Sequence, residues 1–176
     1  AIIPTQTLQE ALRLITDTIE SVEVLFDETQ VRFRLNEAEI VSRLIDGNFP
    51  DYRQLIPKEM STSGVINRDD FVRITKIAVL FPRESGGSIT LTLDAAQNTI
   101  SIHSIASELG ENTSEAAAEV TEGGVITLNS RYVSDALSVI DGDKIEFAFN
   151  GKMSPSVLRN TGKDVNYYHV IMPLKS

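Results

Sequence analysis

The order of apolar stretches in this chain repeats, and no other feature restricts its fold so strongly. Each of three copies, roughly fifty residues long, runs short strand, amphipathic helix, then further strands. In the first, Ala1–Pro4 reads as an apolar strand, Thr5 and Thr7 as candidate N-caps, and Leu8, Ala11, Leu12 and Ile15 recur at helical spacing over 8–16. Strands over Val22–Phe26, Val31–Leu35 and Glu39–Leu44 follow, with a turn at Asp27-Glu28-Thr29. After a connector over 57–63 the order restarts. Gly64-Val65-Ile66 is the short strand, Asn67 the cap, and Asp70 completes a start resembling a capping box. Phe71, Ile74, Ile77, Ala78 and Phe81 form the helix's apolar face, and Pro82 marks its end. Strands are expected over 88–93, 99–104 and 116–121, with Glu108–Thr113 as a polar loop. In the third copy, Gly124–Leu128 is the strand and Asn129 or Ser130 the cap. Val133, Ala136, Leu137 and Ile140 are the helical stripe, and 144–150, 156–159 and 167–172 close the unit.

One helix over a few strands buries only one face of its sheet, so two such units complete each other. The expected class is α+β, with paired helices packed on one face of antiparallel sheets. Residues 59–176 hold two copies and make a complete domain; residues 1–58 hold one copy and a connector. An odd number of half-domains, and the lack of an initiator Met, lead us to expect that the native chain continues before Ala1. The lone copy should leave Leu8, Leu12 and Ile15 uncovered, a patch that invites association.

Composition narrows the chemistry. Cysteine is absent, which removes disulfides, thiolate metal sites and Cys nucleophiles. His103 and His169 fall in expected strands, no carboxylates join them at metal-ligand spacing, and no glycine-rich loop has a phosphate-cradle pattern. Ser85-Gly86-Gly87 reads as a turn. No apolar run is long enough to span a bilayer, and Ala-Ile-Ile-Pro lacks the order of a signal peptide. The net charge of −9 argues against holding nucleic acid through the average field. No enzyme and no cofactor are expected.

The chain closes on Val170-Ile171-Met172-Pro173-Leu174, apolar until Lys175. Its residues fit either a last core strand with a short tail or an apolar lip for a partner's peptide. This ending resembles the C-terminal tail of the bacterial sliding clamp, the beta subunit of DNA polymerase III. Asp46-Gly47-Asn48-Phe49-Pro50-Asp51-Tyr52 with Pro57-Lys58 is similar to that family's linker between its second and third domains, and Asn129 with Tyr132 to a helix start in its third.

The resemblance implies a clamp fold covering half of domain two and all of domain three. It implies a cytoplasmic, non-catalytic processivity factor that encircles duplex DNA without reading sequence. Family members close as homodimers. The polymerase, clamp loader and repair polymerases dock through short motifs of the Gln-Leu-x-Leu-Phe type. Carried over by position, the peptide cleft takes Pro50, Leu55, Met153, Pro155, Val170, Met172, Pro173 and Leu174, with Asn129, Tyr132 and Lys175 at its edges. Gln54 stands where some relatives carry Arg, Ser176 replaces a terminal apolar residue, and a further cleft wall belongs to the half-domain this sequence does not contain. DNA-facing candidates are Arg13, Arg73, Lys76 and Arg131; taken singly, each also fits a solvated charge diluted by Asp69, Asp70 or Asp135. Leu80 and Phe81 are the ring-interface candidates, or else cover their own core. The alternative is an α+β protein-interaction module unrelated to DNA; more distant is a hydrolase with a carboxylate pocket.

Overall fold

The computed structural model describes residues 1–49, 51–57, 59–81, 86–107, 110–162 and 167–174. Contacts divide the chain into two units, Ala1–Asp51 and Tyr52–Ser176. Residues from Tyr52 onward therefore group with the second unit, ahead of the boundary expected after 58.

The first unit comprises helix α1 (Thr5–Leu14) and strands β1 (Glu23–Phe26), β2 (Gln30–Leu35) and β3 (Ala38–Arg43), a sheet in the order β1-β2-β3. Strand β2 alternates as the sequence required: Val31, Phe33 and Leu35 are buried, while Arg32 and Arg34 turn outward to Glu39 and Glu23. The turn between β1 and β2 is held by Asp27, whose carboxylate accepts the N–H groups of Thr29 (2.8 Å) and Gln30 (2.7 Å). Those two donors hold the Asp27 carboxyl below the usual carboxylate range. Two expectations need correction. Ala1–Pro4 is not a strand, although the Ile2 carbonyl accepts from the Ile45 N–H at 2.9 Å. The helix starts earlier than expected, with Pro4 at its N-cap and no capping side chain, because proline's fixed φ already suits the entry. Thr5 and Thr7 lie inside α1, and Thr7 donates instead to the Ser42 hydroxyl. On α1 Ala11 is buried, whereas Leu8, Leu12 and, just past the helix, Ile15 are 46%, 69% and 45% exposed.

The second unit opens with a 3-10 turn at Tyr52–Gln54. It continues through β4 (Thr62–Asn67), α2 (Arg68–Ala78), β5 (Ser88–Asp94), β6 (Thr99–Ala106) and β7 (Gly110–Glu122). The next copy supplies β8 (Gly124–Asn129), α3 (Ser130–Val139), β9 (Lys144–Phe149), β10 (Ser156–Asn160) and β11 (Tyr168–Ile171). The strands form one antiparallel sheet ordered β11-β10-β9-β4-β7-β6-β5-β8. The first strand of each copy lies beside the second strand of the other: β4 pairs with β9, and β8 with β5. Strand β7 is shared along its length, pairing first with β6 and then with β4. Much of the segment expected as a polar loop is thus the start of β7. Its polar residues alternate to solvent while the backbone pairs with β6, so propensity yielded to the ladder.

Helices α2 and α3 pack together against this sheet. Asn67 caps α2, accepting from the Asp69 and Asp70 N–H groups at 3.0 and 3.2 Å. The expected return arm of a capping box is not made: the Asp70 carboxylate is taken by Arg73 at 2.9 Å. Arg68 closes the far end of the neighbour, donating to the carbonyls of Ile140 (2.8 Å) and Leu137 (3.3 Å) at the C-terminus of α3. Beneath the helices, Phe147 stacks against Phe71 and Phe149 at ring distances of 6.1 and 5.4 Å, all three fully buried. Burying a phenylalanine contributes about 1.5–3 kcal/mol, so this cluster anchors the sheet to α2. The copies are joined through Gly123, where a Cβ would meet the Leu93 carbonyl oxygen at 2.9 Å; only glycine allows so close a backbone approach. Pro82 and Ser85, assigned above to a helix end and a turn, lie outside the described residues.

Candidate functional site

A groove of about 570 Å³ opens on the second unit where three segments meet. Gln54, Leu55, Pro57 and Glu59 come from the stretch leading into β4, Asn150, Ser154 and Pro155 from the β9–β10 connection, and Met172 from the chain's tail. Leu55 and Met172 are 40% and 52% exposed, leaving part of each side chain available to a ligand.

Local chemistry holds these walls in place. Asn150 and Gly151 form the turn after β9, with Gly151 at φ 76°, and the Asn150 side chain accepts from the Ser61 hydroxyl at 2.9 Å. That bond ties the turn to the segment carrying Pro57 and Glu59. Met172 is fixed from both sides. Before it, the buried Ser156 hydroxyl donates to the Ile171 carbonyl at 3.1 Å. After it, the Leu174 N–H donates to the Thr127 carbonyl of β8 at 2.9 Å. Between them Pro173 has no N–H to offer, so the tail leaves the ladder while remaining anchored. The result is a preformed, shallow, mainly apolar surface with a few amide and carboxylate groups, suited to the apolar anchors of an extended peptide.

Of the residues expected at a cleft, the structure gathers Leu55, Pro155 and Met172 in one groove, with Gln54 beside them. Val170 stands in β11 opposite Val157 and shares its outward-alternating face with Tyr168. Pro173 and Leu174 are half-buried along the tail. Met153 is 60% exposed in the β9–β10 connection and does not line the groove. Asn129 and Tyr132 lie at the start of α3. Asn129 is its N-cap, accepting from the Arg131 N–H at 2.9 Å and donating to the Gly86 carbonyl at 2.9 Å, while Tyr132 is 55% exposed. Pro50 and Lys175 lie outside the described residues. The sequence reading missed Pro57, Glu59 and Asn150 as groove residues. The Asn150-Gly151 turn signal was the one available clue, because it places that asparagine at a strand end.

Tyr167 and His169 stand next to the tail, the phenol oxygen 3.0 Å from His169 Nδ1. Partial burial lowers the His169 pKa, against an opposing pull from Asp135. Three of the helix cations pair locally, Arg73 with Asp70 at 2.9 Å, Arg131 with Asp135 at 3.9 Å and Arg13 with Glu10 at 2.7 Å. Such exposed pairs contribute little stability and leave the side chains free to exchange partners. Lys76 lines a groove between α2 and α3. Leu80, just past α2, is 58% exposed, and Phe81 is half-buried. Among the described residues no group of three or more His, Asp or Glu side chains is placed to hold a metal ion, and no helix is long and apolar enough to cross a membrane.

The family model for the DNA polymerase III beta subunit, C-terminal domain, matches residues 53–175, and that for the central domain matches residues 1–51. The beta sliding clamp of Staphylococcus epidermidis is 32% identical over 177 aligned residues, 99% of this chain and 46% of the relative. That of Staphylococcus aureus is 31% identical with the same coverage. Among solved structures, the DNA polymerase III beta chain of Streptococcus pneumoniae superposes with a TM-score of 0.83 at 28% identity, over 99% of this chain and 46% of that one. A sliding clamp of Bartonella birtlesii bound to griselimycin gives 0.84 at 26% identity, over 99% and 47%. The chain spans about half the length of the curated relatives it matches.

Proposed function

The chain belongs to the DNA polymerase III beta subunit family, the bacterial sliding clamps, and we propose that it serves in a replication processivity factor by carrying the groove that receives partner peptides. The observation that carries this reading is the meeting of Leu55, Pro155 and Met172 in one anchored apolar groove. Family membership supplies the context: a non-catalytic ring around duplex DNA, closed as a homodimer, that tethers the polymerase, clamp loader and repair polymerases through linear motifs. In that setting Arg13, Arg73, Lys76 and Arg131 face DNA, and Leu80 with Phe81 contributes to the ring interface. Weak, exchangeable contacts suit a slider, since tight phosphate neutralisation would hold it in place. Open apolar walls likewise suit partners that exchange, because each buried anchor contributes only about 1.5–3 kcal/mol before ordering costs.

The test is fluorescence anisotropy of a labelled Gln-Leu-x-Leu-Phe-type peptide with the chain and with Met172→Ala. Saturable binding weakened at least about tenfold by the substitution is expected, the cost of one truncated anchor. Equal binding by both proteins would remove the groove from this role.

A further inference from the structure

We propose that Met172 is an oxidation site, and that its conversion to methionine sulfoxide by hydrogen peroxide reversibly closes the groove to partner peptides. This regulation rests on the peptide-binding reading of that groove and adds a control to it. Sulfur chemistry in the chain belongs to methionine alone. There is no cysteine, so no thiol competes for an oxidant, and there are three methionines, Met60, Met153 and Met172. Their settings differ. Met60, half-buried just before β4, lines a neighbouring groove with Val157 and Tyr168. Met153 and Met172 are both more than half exposed, and Met172 alone of the three lines the peptide groove, beside Leu55, Pro57 and Pro155. An oxidant in solution reaches both exposed thioethers, but only at Met172 does the product stand where a peptide's apolar anchor must sit.

The reaction balances with peroxide as the oxidant. A lone pair on the Met172 sulfur attacks one peroxide oxygen as the O–O bond breaks. That oxygen stays on sulfur, its proton passes to the departing hydroxide, and water leaves. The thioether is oxidised to the sulfoxide and the peroxide is reduced to water. A flexible apolar side chain thereby becomes a polar one. Covering the new oxygen with a Leu or Phe anchor strips its water and supplies no donor, the unfavourable case for a buried polar group. The backbone cannot carry Met172 out of the wall. The Ser156 hydroxyl holds the Ile171 carbonyl at 3.1 Å on one side, and the Leu174 N–H holds the Thr127 carbonyl at 2.9 Å on the other. Because sulfoxide reductases return methionine to the thioether, the groove reopens when the oxidant is gone.

The experiment is an anisotropy titration of a labelled Gln-Leu-x-Leu-Phe-type peptide with the chain before peroxide treatment, after it, and after subsequent treatment with methionine sulfoxide reductases. Mass spectrometry locates the sulfoxides, since trypsin cutting after Lys58, Arg68, Lys152, Arg159 and Lys163 puts the three methionines on separate fragments. Conversion of Met172 should weaken binding by about tenfold or more, with circular dichroism unchanged, and the reductases should restore it. Met153→Leu should lose affinity on oxidation as the unsubstituted chain does. Met172→Leu should show one affinity before and after peroxide. Saturating peptide should slow oxidation at Met172 and leave the rate at Met153 unchanged, because a ligand and a modification that exclude each other do so reciprocally. Equal binding with Met172 fully converted, a loss that persists in Met172→Leu, or unfolding on oxidation overturns the control while the peptide reading stands. Failure of the untreated chain to bind overturns the peptide reading and the control with it.

Discussion

The Leu174 N–H donates to the Thr127 carbonyl across 2.9 Å, and this bond joins the two outer edges of the eight-stranded sheet. Its place in the repeat explains it. In the second copy the last strand, β7, pairs with β6 and then runs on to pair with β4. In the third copy β11 pairs with β10 and then runs on toward β8, but Pro173 interrupts the ladder, and among the described residues the tail is tied to β8 by the Leu174 bond. The groove's lip is the unfinished half of a strand. Ending the chain at Ile171 should therefore abolish peptide binding and lower Tm by about 2–8 °C, the effect of roughly one hydrogen bond. A thermal melt read beside the anisotropy assay checks both. Loss of the folded transition would show that the tail supports the domain more than this bond implies.

Phe147→Ala should destabilise the second unit by about 3–5 kcal/mol, since the ring is fully buried between Phe71 and Phe149 and leaves a cavity the helices cannot fill. Denaturant unfolding followed by the melting of that unit measures it. A cost below 1 kcal/mol would mean the aromatic cluster is not central to the core.

Asn67→Ala and Asn129→Ala each remove an N-cap and should cost about 0.5–2 kcal/mol. Asn129 should fall at the upper end, because its amide also holds the Gly86 carbonyl. The urea midpoint should shift while the m-value stays constant. Equal costs would show that the Gly86 link is energetically idle.

His169 gives the fold a directional pH response. Burial lowers its native pKa, so the unfolded chain binds the proton more readily. Stability from this group is fully present above the ordinary histidine value of about 6.5 and is lost as pH falls from there through the lowered native value. His169→Gln should flatten that part of the stability–pH curve relative to the unsubstituted chain. Parallel curves for the two proteins would assign the pH response to other groups.

Helices α2 and α3 were legible in the sequence because period and caps agreed: Asn67 and Asn129 stand where the apolar stripes begin, and both cap in the structure, whereas α1 begins after Pro4 without a capping side chain. The strand cores were legible from alternation, as in Val31, Phe33 and Leu35. The start of β7 was not, because Glu111, Asn112 and Thr113 carry loop chemistry and only the partner strand β6 makes them extended. The groove was partly legible. Leu55, Pro155 and Met172 came from the family resemblance, whereas Pro57, Glu59 and Asn150 are brought there by the path of the chain over the β9–β10 end. No local pattern marks that path.

The exchange of first strands between the second and third copies has a kinetic consequence. In a solenoid, neighbouring repeats fold one after another, each on the surface of the last. Here β4 cannot complete its pairing until β9 has been synthesised, and β8 returns to β5 in the preceding copy. Each ladder closes a long loop, so the search is slow and neither copy is a stopping point. A ribosome releasing this chain would hold an unfolded second copy until the third emerged, and assembly would then proceed as one all-or-none event.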